Sequence, residues 1–300
     1  MSQSYENLPV SNVERDPREE RPIDAPIVDI VRHGETEYKE MLDKDFVFDP
    51  NQEGFALTPE YLDLTSDGIE NIRRAAGQLI AAIDLQNEAV LLVASPNYRA
   101  QSSALIIADE FKKAGVPLLN GKPKTAKNLR QIEVKNPEAD MDEWMRVALG
   151  YRSESEQNAG ASPDVAYQEV AHRMGRELGD IVTEDFDAIK LRFDRYLRHY
   201  GNIRNYLDPK LQDRIADKRL RVISVTHEEI PTMFMREALG SAMNLKKAQI
   251  LEIRPASGLH KKGETIDVDI ELVPKAGEDG NTQTASIRRT FKRDGEESTK

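Results

Sequence analysis

Three short runs of apolar, mostly β-branched residues stand out along the chain: Ile27 to Val31, Val90 to Ala94 and Val222 to Val225. Their shortness and composition suit buried strands better than helices. Helical spacing follows each run. After the first, Ile69, Ile72, Ala76, Leu79, Ile80 and Ile83 line one face of a helix starting around Ser66 or Asp67. After the second, Ala104, Ile107, Ala108 and Phe111 repeat the pattern, with Gly115 as the stop. After the third, Met233, Phe234, Ala238 and Leu239 predict a helix that ends at Gly240.

Strand then helix, repeated, predicts the α/β class: a three-layer sandwich whose largely parallel central sheet is flanked by helices. Residues 161–200 read mainly as helix. Near the C-terminus, Ile266, Val268, Ile270 and Leu272 alternate with Asp267, Asp269 and Glu271, and Thr284 to Phe291 pairs back as a β-hairpin. That alternation makes Asp267 and Asp269 a solvated strand face rather than a catalytic pair.

With 300 residues, 39% of them hydrophobic, the chain can build one core with excursions. Residues 1–24 and 294–300 are too polar to offset the entropy of ordering and are expected to be flexible. Between them, residues 25–293 are expected to form one domain with insertions at about 37–63 and 135–220. The absence of cysteine excludes disulfides and thiol nucleophiles and fits a reducing compartment. A net charge of -11, from 53 acidic and 42 basic side chains, disfavours nucleic acid as a partner. No signal-peptide core and no apolar run of about eighteen residues is present, so no membrane segment is expected and a cytoplasmic location is the default.

Each apolar run ends in polar chemistry: Arg32-His33-Gly34, then Ser95-Pro96 with Arg99, then Thr226-His227-Glu228. Ligands of open parallel sheets bind beyond the carboxyl ends of the strands. Two arginines and two histidines should therefore share one crevice. Guanidinium forks suit phosphoryl oxygens, and a neutral imidazole nitrogen can attack phosphorus.

The ordered segments RHGET, LTSDG, SPNYRAQSSA, LRQIE and VTHEE resemble the histidine phosphatase (phosphoglycerate-mutase-like) superfamily over roughly residues 26–240. The resemblance implies that His33 is the nucleophile and becomes transiently phosphorylated, while Arg32, Arg99 and His227 bind phosphoryl oxygens. It implies no cofactor or metal, and a phosphorylated small molecule or phosphoprotein as substrate. Four positions depart from the usual pattern: Lys39, Asn71, Ser103 and, most consequentially, Gln131, where many members carry a glutamate that donates a proton.

An amide cannot protonate a leaving alkoxide. Glu133, two residues on along an extended segment, and Glu228, directly after the second histidine, are the leading replacements, with Glu229 behind them. A carboxyl group beside a phosphate dianion is kept protonated by like charge. The expected activity is phosphomonoester hydrolysis. A phosphate- or phosphopeptide-binding pseudoenzyme and a phosphoglycerate-type mutase remain open, and substrate identity and oligomeric state stay unassigned. Of the remaining candidates, Glu35 is expected to form hydrogen bonds near the site; His172, His199 and His260 lie at the surface. Trp144, Tyr151, Phe46, Phe48 and Phe55 either line a substrate pocket or pack a lid, with packing the favoured expectation, and Arg192, Arg195 and Arg198 are expected to form a solvated face rather than a phosphate-reading surface.

Overall fold

In a computed structural model, the three apolar runs become neighbouring strands, and the polar residues that end them emerge on one side. The structure describes residues 25–38, 63–155, 157, 161–215, 217–239, 244–255, 265–278 and 281–290. Both termini, most of the first insertion with Lys39, Phe46, Phe48 and Phe55, and His260 lie outside the described residues.

In chain order the strands are β1 (Ile27–Arg32), β2 (Glu88–Ala94), β3 (Lys124–Thr125), β4 (Arg219–Thr226), β5 (Ile250–Pro255), β6 (Thr265–Val273) and β7 (Gln283–Thr290). They form one sheet in the order β3-β2-β4-β1-β5-β6-β7. The pairs β3–β2, β2–β4 and β4–β1 are parallel, whereas β1–β5, β5–β6 and β6–β7 are antiparallel. The expectation of a largely parallel sheet is thus corrected: the sheet is mixed. The β6–β7 hairpin does not stand apart but continues the main sheet through β5, a strand the hydrophobic pattern did not reveal. Hairpin connections join only antiparallel neighbours, whereas a parallel neighbour needs a long crossover.

The helices are α1 (Ser66–Ala82), α2 (Tyr98–Lys113), α3 (Pro137–Ser153), α4 (Pro163–Arg173), α5 (Leu178–Ile181), α6 (Phe186–Gly201), α7 (Pro209–Arg214) and α8 (Glu229–Leu239). Thr65 caps α1, its hydroxyl accepting from the Gly68 amide at 3.0 Å. Gly115 ends α2 as expected, with φ of +73°. Side chains of successive strand residues point to opposite faces, so each strand feeds two cores. On one face Val31, Leu92, Ile223 and Val225 pack with Ile72 and Leu79 of α1 and Ile107 and Phe111 of α2. On the other, Val28, Val93, Val222 and Leu251 pack with Ile189 and Phe193 of α6 and Phe234 of α8.

Two arginines are buried where the sequence pattern gives no warning. Arg221 of β4 is ion-paired with Asp29 at 2.9 Å, Glu88 at 2.7 Å and Glu252 at 3.0 Å, deep in the sheet. Arg192 was expected on a solvated face with Arg195 and Arg198, but it is buried. Its guanidinium binds Glu184 at 2.8 Å and the carbonyls of Asn128 at 2.9 Å and Arg130 at 2.7 Å. It thereby pins the segment that carries Gln131. Arg195, His172 and His199 are exposed, and Trp144 and Tyr151 are buried packing residues.

Candidate active site

The three central strands end level, because Arg32 pairs with Thr226 and Ala94 with Val225. Since they run parallel, His33, Ser95 and His227 leave the sheet together at its carboxyl edge. β4 lies between β2 and β1, which brings the two histidine rings to a centroid separation of 5.1 Å.

The His33 backbone amide extends the ladder, donating to the Thr226 carbonyl at 2.9 Å. Its Nδ1 lies 2.7 Å from the Gly34 carbonyl oxygen, which can only accept, so Nδ1 carries the hydrogen and Nε2 keeps its lone pair. Arg99 donates from Nε to that Nε2 at 3.3 Å. Burial, then the charges of Arg99 and Arg32, hold the imidazole well below its ordinary pKa. The arrangement presents a neutral, oriented nucleophile.

His227 takes the opposite tautomer. The Ser95 hydroxyl donates to Asn97 Oδ1 at 2.9 Å, so its oxygen accepts from His227 Nε2 at 2.8 Å. Nδ1 is buried with no hydrogen-bond partner among the described residues. Burial, then Arg99 and His33, also lower the pKa of this ring.

Arg32 donates to the Leu245 carbonyl at 2.7 Å and pairs with Glu228 at 2.8 Å, and its Nε is without a partner among the described residues. Arg99, in the first turn of α2, is buried; its Nη2 binds Gln131 Oε1, and its guanidinium lies 5.9 Å from the Tyr38 ring centroid. The motif glycine is sterically required. A Cβ on Gly34 would come 2.7 Å from the Gly68 carbonyl oxygen, and one on Gly68 would come 2.2 Å from that of Glu35. Ser103 accepts from the Gly34 amide at 3.2 Å, so the serine at this position still ties the turn to α2. Tyr38, Asp63 and Ala248, with φ of 59°, 46° and 60°, are the non-glycine residues with left-handed backbones among the described residues. All three belong to segments bonded to the motif: Tyr38 and Asp63 through Thr36, Ala248 through the Arg32 carbonyl.

Of the residues expected in the site, Arg32, His33, Arg99, His227 and Glu228 come together. Glu133 does not join them: its side chain is 53% exposed and lies 3.4 Å from Arg130. The segment alternates as expected, yet beyond Gln131 it leaves the crevice, and the Glu133 carbonyl accepts from Thr183 at 2.9 Å. Glu35 is ion-paired with Lys247. Glu229, weighed behind Glu228 on sequence, is buried, and its Oε1 accepts from the Ile132 amide at 3.1 Å. Burial raises its carboxyl above the usual range. Sequence reasoning gave no signal for Arg152, which lies 3.6 Å from Glu228, or for Tyr167, whose hydroxyl is raised by burial and then by Glu229. Both come from the helical insertion, whose placement no local pattern specifies.

The model of the histidine phosphatase superfamily (branch 1) matches residues 28–258. The chain belongs to this superfamily. No curated protein matches the sequence. Among solved structures, this superfamily member is similar to phosphoglycerate mutase from Bacillus anthracis str. Sterne, with 17% identity and a TM-score of 0.43, over 77% of this chain and 89% of that one. It is also similar to the phytase of Klebsiella sp. ASR1, with 11% identity and a TM-score of 0.36, over 88% of each chain. Among the described residues, no helix is long and apolar enough to cross a membrane.

Proposed function

We propose that this superfamily member is a phosphomonoester hydrolase that works through a phosphohistidine at His33. The observation that carries the reading is the tautomer of His33: Nδ1 bound to the Gly34 carbonyl leaves the Nε2 lone pair beside Arg99. A nucleophile oriented this way needs no deprotonation before it attacks phosphorus. Arg32 and Arg99 then bind non-bridging oxygens, and His227 adds a third contact once the negative charge of the bound phosphoryl group draws a proton onto its unpartnered Nδ1. Each such preorganised donor contributes about two to three powers of ten in rate, because it is already aimed where charge develops.

In this scheme Nε2 forms the P–N bond as the ester P–O bond breaks. A carboxyl group at the start of α8, Glu228 or Glu229, protonates the departing oxygen. Water then attacks the phosphohistidine, the P–N bond breaks, and inorganic phosphate leaves. Glu133 has no part in it, since its carboxylate lies out at the surface with Arg130. The substrate is a phosphorylated small molecule or phosphoprotein.

Release of inorganic phosphate from p-nitrophenyl phosphate tests the reading, with the His33→Ala variant as control. Turnover abolished by the substitution, together with acid-labile label on the wild-type protein from a 32P-labelled substrate, supports it. Turnover that survives the substitution refutes it. One observation favours a second reading: Gln131 occupies the place of the usual acid, as in a protein that binds phosphate without turning it over. Phosphate-ester binding with no release of phosphate from any ester would establish that alternative.

A further inference from the structure

Position 131 and Glu229 meet at one corner of the site. Arg99 reaches His33 Nε2 with its Nε at 3.3 Å and the Gln131 amide oxygen with its Nη2, so one guanidinium holds both Gln131 and the nucleophile. The next residue, Ile132, donates its amide to Oε1 of Glu229 at 3.1 Å. Glu229 is 4% exposed, and the ionisable groups around it come from every side: Arg99 of α2, Tyr167 of α4, Arg192 of α6 and Glu228 of its own turn.

We propose that Glu229 donates the proton to the leaving oxygen, so that the acid missing at position 131 enters the same corner from the first turn of α8. This rests on the phosphohistidine reading above. Of the two adjacent glutamates, Glu228 is committed elsewhere: its carboxylate binds Arg32 at 2.8 Å and lies 3.6 Å from Arg152, which suits it to orienting the phosphate clamp. Glu229 has no such guanidinium contact at ion-pair distance among the described residues. Its burial works in the direction a donor near neutral pH requires.

The proton balance closes over both steps. As His33 Nε2 bonds to phosphorus, the Glu229 proton moves to the ester oxygen and the alcohol departs. In the second step the resulting carboxylate takes a proton from the attacking water. The hydroxyl goes to phosphorus, the P–N bond breaks, and Glu229 is again protonated.

Glu229→Gln tests the assignment well, because the amide oxygen can still accept from the Ile132 amide and keep the loop in place. We compare kcat/KM on p-nitrophenyl phosphate, whose leaving group needs little protonation, with kcat/KM on n-butyl phosphate. The variant is expected to lose about two to four powers of ten on the butyl ester and less than about tenfold on the aryl ester. It should also lose the basic limb of the butyl pH profile. Glu228→Gln should lower both substrates together. Should Glu229→Gln fail to fold, Glu229→Asp must show the same butyl-selective loss.

The assignment is overturned if Glu229→Gln slows both esters equally or neither, or if Glu228→Gln gives the butyl-selective loss instead. It is equally overturned if the wild type hydrolyses the aryl ester but no alkyl phosphate. If aryl hydrolysis survives His33→Ala, the phosphohistidine reading itself has failed and takes this assignment with it. That outcome is separable, because it appears before any glutamate is changed.

Discussion

Nε of Arg99 lies 3.3 Å from Nε2 of His33, so a buried, permanent cation donates to the nitrogen lone pair that faces the crevice. A proton on that nitrogen would meet the guanidinium directly. The same contact orients the fork of Arg99 toward any phosphoryl group attached to His33.

One consequence is a site that stays neutral in mild acid. Burial and the neighbouring arginines lower the pKa of both His33 and His227 well below 6.5. In an imidazole NMR titration, neither ring should take up a proton in a step centred near pH 6.5. Because the folded pKa values are depressed, these histidines contribute stability above about pH 6.5 that is lost as pH falls toward the folded values. A stability curve that rises on acidification from pH 6.5 to 5 in wild type but not in His33→Asn/His227→Asn would contradict this sign.

The tautomer of His227 depends on Ser95, whose hydroxyl oxygen accepts from Nε2 at 2.8 Å. Ser95→Ala should lower kcat/KM on an aryl phosphate by about tenfold or more, since the ring loses the Nε2 contact that orients its other nitrogen toward the phosphoryl group. Thermal stability should change by only about 1 kcal/mol. Unchanged kcat/KM in a folded variant would show that the Ser95 contact does not orient the ring.

The first motif and α1 approach too closely for any side chain at Gly68, where a Cβ would lie 2.2 Å from the Glu35 carbonyl oxygen. Gly68→Ala should destabilise the protein by about 1–3 kcal/mol or more through overpacking, against backbone that has little room to shift. Gly77→Ala, in the same helix with nothing within 4 Å, should be neutral or slightly stabilising. Denaturant unfolding of the two variants side by side decides the matter, and equal stabilities would refute the steric argument.

Far from the crevice, Arg221 holds Asp29, Glu88 and Glu252 inside the sheet. Arg221→Met strands three buried carboxylates and should cost about 3–5 kcal/mol. The folded fraction should retain its aryl phosphatase kcat. Asp29 is raised from 3.8 to about 7, chiefly by burial and against the pull of Arg221. A raised folded pKa gives stability that is complete below about 3.8 and is lost as pH rises toward about 7. Asp29→Asn should therefore gain on wild type between pH 5 and pH 8 when urea midpoints are compared. A constant difference across that range would show that Asp29 does not titrate there.

Much of the frame was legible from the chain alone. The apolar runs at Ile27, Val90 and Val222 became β1, β2 and β4, and the helical spacings after them became α1, α2 and α8. Local pattern suffices there because a strand or helix that must bury one face writes its period into the sequence. The clustering of Arg32, His33, Arg99 and His227 followed from the same signals, since parallel strands place their carboxyl ends together. The antiparallel β6–β7 hairpin was legible from its alternation, but β5 and its antiparallel pairing with β1 and β6 were not, because direction depends on how connections span between strands and leaves no mark in periodicity. Arg192 and Arg221 were equally hidden: a charged residue can be buried only where other elements supply carboxylates and carbonyls.

By itself, then, the sequence determined the α/β class, the three strand ends and the identity of the phosphate-binding candidates, because all of these rest on spacing within short segments. Only the tertiary structure decided which carboxylate stands where. Glu133, Glu228 and Glu229 are nearly equivalent as letters near a motif, but one reaches the surface, one meets two arginines and one is buried against the Ile132 amide. Those fates differ because burial and charge at a side chain are set by residues distant in the chain, through contacts that no local window contains.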